Sequence, residues 1–64
     1  MRTFTTKIGT IEATEQYDSY NDEYYTELWS VEQERYIGEL PIREDSKFLE
    51  FEIKEFIDEI EAAE

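Results

Sequence analysis

Carboxylates dominate the chemistry available to this chain. Its 64 residues hold 14 Glu and 4 Asp against 6 Lys and Arg, for a formal charge of −12. Cysteine and histidine are both absent. That removes disulfide staples, thiolate nucleophiles, zinc sites built on sulfur or imidazole, and every scheme that moves a proton through an imidazole. Aspartic, serine and metal-hydroxide chemistry stay open in principle, and a carboxylate pair can act as acid and base. So short a chain offers little depth for a pocket, so the expectation is a protein that binds and does not catalyse, without a cofactor. The run Asp18-Ser19-Tyr20-Asn21-Asp22-Glu23 begins as a calcium loop does. It then places Tyr third and Glu where the turn needs Gly, so the pattern fails and no metal site is expected. Gly9 and Gly38 are the only glycines, too few for a phosphate-cradling loop, and no basic stripe is present for direct contact with nucleic acid.

The acids fall into two blocks. No basic residue lies between Lys7 and Arg35, an interval that holds Glu12, Glu15, Asp18, Asp22, Glu23, Glu27, Glu32 and Glu34. From Phe48 onward, Glu50, Glu52, Glu55, Asp58, Glu59, Glu61 and Glu64 face a single Lys54. Residues two apart on a strand lie about 6.6 Å apart, and residues three or four apart on a helix have Cβ atoms about 5–6 Å apart. Neighbouring phosphates of a nucleic-acid strand are separated by roughly 6–7 Å through space. Carboxylates at these intervals suit a partner that expects phosphates. Large aromatics stand among them, as the hot spots of an interface or as imitations of stacked bases. The candidate partner-binding residues are Glu15, Asp18, Asp22, Glu23 and Glu27 with Tyr17 and Tyr20 in the first block, and Phe48, Phe51, Glu55, Asp58 and Glu59 in the second. The expected partner is the basic groove of a nucleic-acid-binding protein.

Plainer readings stand beside this one. Acid blocks are usually a solvated surface, and tyrosines often cover a thin sheet. Growth in high salt usually brings Asp as well as Glu, which does not fit the excess of Glu here. A small adaptor or accessory subunit, its acidity serving solubility, would use Phe48, Phe51 and the tyrosines as an apolar contact or homodimer seam. A housekeeping domain with no dedicated acidic site is the third possibility.

The elements that must position these groups read as one α+β domain over residues 1–64. Residues 3–14 are rich in Thr, Ile and Phe and read as one strand, with a bulge near Gly9-Thr10 where the inward parity changes. Residues 24–32 form a second strand, separated from the first by a long acidic tip over residues 15–23. Residues 35–42 form a third, after a short Gln33-Glu34 turn. Pro41 closes it and marks it as an edge. From Asp45 or Ser46 as N-cap, Leu49, Ile53, Phe56, Ile57 and Ile60 recur at helical spacing. The result is a three-stranded antiparallel sheet in βββα order, packed against one C-terminal helix, with Leu28, Trp29, Tyr36 and Phe56 in the core. A fourth strand at residues 47–53 is the alternative, because Leu49, Phe51 and Ile53 alternate with charged residues. On a helix, Phe48 and Phe51 fall off the apolar stripe on the side of Glu55.

No run reaches the roughly 18 apolar residues of a membrane span, and the first residues lack the apolar core of a secretory signal. A cytoplasmic protein, monomeric or homodimeric, is expected. In size, charge and aromatic content the chain resembles the small acidic inhibitors that phages and mobile elements direct against host nucleic-acid enzymes, among them glycosylase inhibitors, anti-restriction proteins and anti-CRISPR proteins. The resemblance is compositional, spans the whole chain and rests on no motif. It implies a DNA mimic that occupies a nuclease, repair, restriction or CRISPR complex, and it transfers no residue role.

Overall fold

The computed structural model describes residues 1–63. Four strands, β1 (Arg2–Thr6), β2 (Gly9–Asp18), β3 (Glu23–Ser30) and β4 (Arg35–Leu40), precede one helix, α1 (Leu49–Ala62). The strands form an antiparallel meander in the order β1-β2-β3-β4. A fourth strand is therefore present, but residues 2–6 supply it, and Leu49–Ile53 begin the helix instead.

The expected single strand over residues 3–14 is two strands joined by a tight turn at Lys7-Ile8, with Thr6 paired to Gly9. Neither loop residue has a positive φ; Gly9, at φ 106°, takes the conformation that lets the chain reverse. Ile8 N–H donates to Thr6 Oγ1 at 3.2 Å, and Thr6 Oγ1 donates to the Gly9 carbonyl at 2.9 Å. A parity change at Gly9 is what a hairpin produces as well as a bulge.

The other two hairpins share one design. Residues 19–22 and residues 31–34 are the loops, and each ends on a non-glycine in the left-handed region, Asp22 at φ 55° and Glu34 at φ 52°. The residue before each loop accepts from loop N–H groups. Asp18 Oδ1 takes those of Tyr20 at 3.0 Å and Asn21 at 3.3 Å, and Ser30 Oγ takes that of Gln33 at 3.3 Å. The acidic tip is consequently short: residues 15–18 belong to β2, and residues 31–32 belong to the second loop and not to a strand.

Register divides the sheet into two faces. Phe4, Ile11, Ala13, Leu28 and Leu40 share one face, and with Leu49, Ile53 and Ile57 of α1 they make the buried core. Thr26 and Ser30 are buried on the same face. Thr26 is satisfied there, donating from Oγ1 to the Ile42 carbonyl at 2.7 Å. The helical stripe is as its periodicity predicts, with Phe56 packed against the core's margin. Gly38, at φ 154°, stands where a side chain would meet the Phe56 ring. One extra residue, Ile37, bulges out of β4 beside it, because Leu28 pairs with Gly38 while Trp29 pairs with Tyr36. That slip keeps Tyr36 beside Trp29 on the far face. Trp29 and Tyr36 are therefore not core: Trp29 is half-buried and Tyr36 is 63% exposed.

The helix start also differs from expectation. Phe48 is the N-cap and makes no side-chain capping bond. Ser46 instead builds the preceding turn, its Oγ accepting from Phe48 N–H at 3.1 Å and its carbonyl from Leu49 N–H at 3.2 Å. Residues 41–48, which carry the chain from β4 to α1, are fastened to β2 by a reciprocal clasp. Glu44 N–H donates to Glu15 Oε1 at 3.0 Å, and Glu15 N–H donates to Glu44 Oε1 at 2.8 Å. Strand β4 ends at Leu40, before Pro41, and is an edge strand as that proline implies. No helix among the described residues is long and apolar enough to cross a membrane.

Candidate functional site

Because α1 covers one face of the sheet, the other face is left open. Strand β3 presents Glu23, Tyr25, Glu27 and Trp29 to it, an acid and an aromatic in alternation. Their partners on the neighbouring strands continue the pattern. Asp18 lies opposite Glu23, Thr14 and Glu39 flank Glu27, and Glu12 and Tyr36 flank Trp29. This face thus carries Glu12, Asp18, Glu23, Glu27 and Glu39 around Tyr25, Trp29 and Tyr36. By register it receives no Lys or Arg among the described residues.

Electrostatics mark the same grouping. The Tyr25 hydroxyl is pushed up, first by burial and then by the negative charge of Glu27, Glu39 and Asp18. It donates to Glu27 Oε1 at 3.4 Å. Glu27 and Glu39 stand directly opposite each other on adjacent strands, where like charges destabilise a sheet. Trp29 and Tyr36 meet edge to face, with centroids 4.9 Å apart and planes at 76°. Such a pair holds two large rings at a fixed angle.

Cations of the chain make their contacts elsewhere: Arg35, paired with Ser30 on the helix-side face, donates from Nε to Gln33 Oε1 at 2.7 Å. Arg43 donates to both carboxylate oxygens of Glu15, at 3.2 and 3.1 Å, while its guanidinium lies 4.1 Å from the centroid of Tyr24. Lys7 pairs with Asp58 at 2.6 Å and Glu61 at 3.4 Å, and Lys54 with Glu50 at 3.4 Å. Arg2 lies over Phe4 and donates to the Glu44 and Ser46 carbonyls, and Lys47 lies over Phe48.

The twelve residues singled out from the sequence are not brought together. Glu23, Glu27 and Asp18 reach the open face, although Asp18 also caps its turn, and Asn21 Nδ2 and two backbone N–H groups hold its carboxyl below its ordinary range. Glu15 sits on the helix-side face, opposite Thr26 and clasped to Glu44. There Arg43 and the Glu44 N–H lower its pKa, so its charge is already matched. Tyr17 shares that face, tilted against Tyr24 at 5.0 Å and donating to Asp22, which raises its own pKa. Tyr20 is at the hairpin tip, 94% exposed. Phe48 and Phe51 are 60% and 64% exposed at the start of α1. Glu55, Asp58 and Glu59 line the outside of that helix, across the molecule from the open face, and Asp58 is paired with Lys7.

Sequence reasoning counted Tyr25 among the aromatics of the acidic hairpin, but it did not single out Glu12 or Glu39 and assigned Trp29 and Tyr36 to the core. The signal was strand parity: Tyr25, Glu27 and Trp29 share a face in any strand reading, and that sorts residues better than density of acids along the chain. Among the described residues no group of three or more acids converges as a metal site would require. Comparison of the chain with protein-family models, curated proteins and solved structures gives no match.

Proposed function

We propose that this protein is a nucleic-acid mimic, whose open sheet face enters the basic groove of a DNA- or RNA-binding protein and excludes the nucleic acid from it. The observation that carries the reading is the interleaving of Glu12, Asp18, Glu23, Glu27 and Glu39 with Tyr25, Trp29 and Tyr36 on one sheet face, to which strand register brings no Lys or Arg among the described residues. Carboxylates there answer the Lys and Arg that normally hold phosphates, and the rings stand where bases would stack. Long-range attraction from a charge of −12 speeds encounter. Ring burial and matched charges then slow release. The Glu27–Glu39 repulsion supports the same reading, because an opposing cation turns that local cost into affinity.

The test begins with the immobilised protein and a host lysate at low salt. Captured proteins should be nucleic-acid binders that elute with salt and are displaced by duplex or single-stranded nucleic acid. A captured partner that holds the protein and its nucleic acid together, with no loss of affinity for either, overturns the proposal.

A second reading rests on Phe48 and Phe51, two large apolar groups more than half exposed at one end of α1. They suit an adaptor whose contact is apolar or a homodimer seam. Binding that survives charge neutralisation of the sheet face and is lost on Phe48→Ala with Phe51→Ala would favour it.

A further inference from the structure

We infer that the Trp29–Tyr36 pair, with Glu12 and Glu27 beside it, is a docking position for an arginine side chain of the partner, in preference to lysine. The inference rests on the open face being the partner-binding surface and adds which basic residue it reads.

The chain already displays this mode of recognition within itself. The Arg43 guanidinium lies on the Tyr24 ring while its Nε and Nη2 donate to the two oxygens of Glu15. Strand β3 supplies the ring, and β2 supplies the acid from the same face. A planar fork that stacks and bonds bidentately is what arginine offers and lysine does not.

The open face repeats the components without the cation. Glu12 of β2 is the direct cross-strand partner of Trp29 on β3, about 4.8 Å away by strand spacing. Glu27 lies two residues from Trp29 on the same strand, about 6.6 Å along it. Tyr36 closes the third side from β4, and the edge-to-face geometry leaves the rings at an angle, not stacked shut. Indole is the best side-chain host for a cation. Arg2, Arg43 and Lys47 lie over Phe4, Tyr24 and Phe48, whereas Trp29 receives no cation among the described residues. A guanidinium over Trp29 would have carboxylates on two sides and would replace repulsion among them with attraction.

Trp29 is the chain's only tryptophan, so its fluorescence reports on the position directly. The full chain is titrated with oligo-arginine and oligo-lysine peptides of equal length. Oligo-arginine should bind about ten-fold more tightly and shift or quench Trp29 emission. Tyr36→Leu should remove most of that preference, and Tyr36→Phe should keep it. Glu12→Gln, which leaves both rings in place, should weaken arginine binding more than lysine binding. Far-ultraviolet circular dichroism confirms that each variant is folded. Equal binding of the two peptides, or a preference that Tyr36→Leu and Glu12→Gln leave untouched, overturns the arginine inference while the mimic reading stands. Failure of both peptides to bind at low salt removes both.

Discussion

Two backbone positions show how single residues set this fold. Glu34 holds a left-handed conformation at φ 52° that costs an L-residue about 1–2 kcal/mol, and it makes no compensating side-chain bond among those of the described residues. Glu34→Gly should therefore raise stability by about 0.5–1 kcal/mol after its own entropic cost, read as a higher urea midpoint at unchanged slope. Asp22 has the same conformation, but its carboxylate accepts from Tyr17, so the same change there should gain less. Gly38 is the opposite case. A methyl group there meets the Phe56 ring, and Gly38→Ala should lower stability by about 1–3 kcal/mol. Neither effect was legible beforehand: the left-handed positions carry Asp and Glu, not Gly, and Gly38 faces a ring 18 residues away in the sequence.

At the scale of elements, what was legible followed the strength of the periodic signal. The α1 stripe could be read because Leu49, Ile53 and Ile57 repeat at the helical interval and lie buried. Strand β4 ended at a proline that cannot extend the ladder. The β1–β2 hairpin was hidden because Lys7 and Ile8 are not turn residues, and only Gly9 hints at the reversal. The candidate site was half legible. Its acids were visible as a block, but their division between two sheet faces depends on pairing, and Glu39 and Tyr36, of opposite parity, share one face only through the bulge at Ile37. The clasp between Glu15 and residues 43–44 joins non-adjacent elements and has no local sequence signal. Its contribution depends on pH with a definite sign. Both acids have lowered pKa values: Glu15 mainly through Arg43, and Glu44 mainly through the terminal ammonium, with the Glu15 N–H adding to it. A depressed carboxylate stabilises the fold above its unfolded-state pKa and loses that contribution as pH falls through its folded value. Thermal melts of the native chain and Glu15→Gln should thus differ at neutral pH and converge as the solution is acidified below the ordinary carboxylate range.

For the whole molecule, charge bears on stability and, in the proposed function, on binding. A net charge of −12 within extents of 32 × 22 × 22 Å leaves most acids within a few Debye lengths of one another, since that length is about 10 Å at 0.1 M salt. Added salt at neutral pH should therefore raise the melting temperature by several degrees, about the effect of 1 kcal/mol in a domain this small. The same salt should weaken partner binding, an inverse relation that an apolar interface would not show. Faces can be told apart by charge-neutralising them separately. Using the captured partner and its nucleic acid, inhibition is measured for the native chain, for Glu12→Gln with Glu27→Gln and Glu39→Gln, and for Glu55→Gln with Asp58→Asn and Glu59→Gln. The open-face triple variant should lose about a hundred-fold in inhibition, and the helix triple variant should stay within a few-fold of native. Undiminished inhibition by the open-face variant, or a larger loss from the helix variant, would contradict the account.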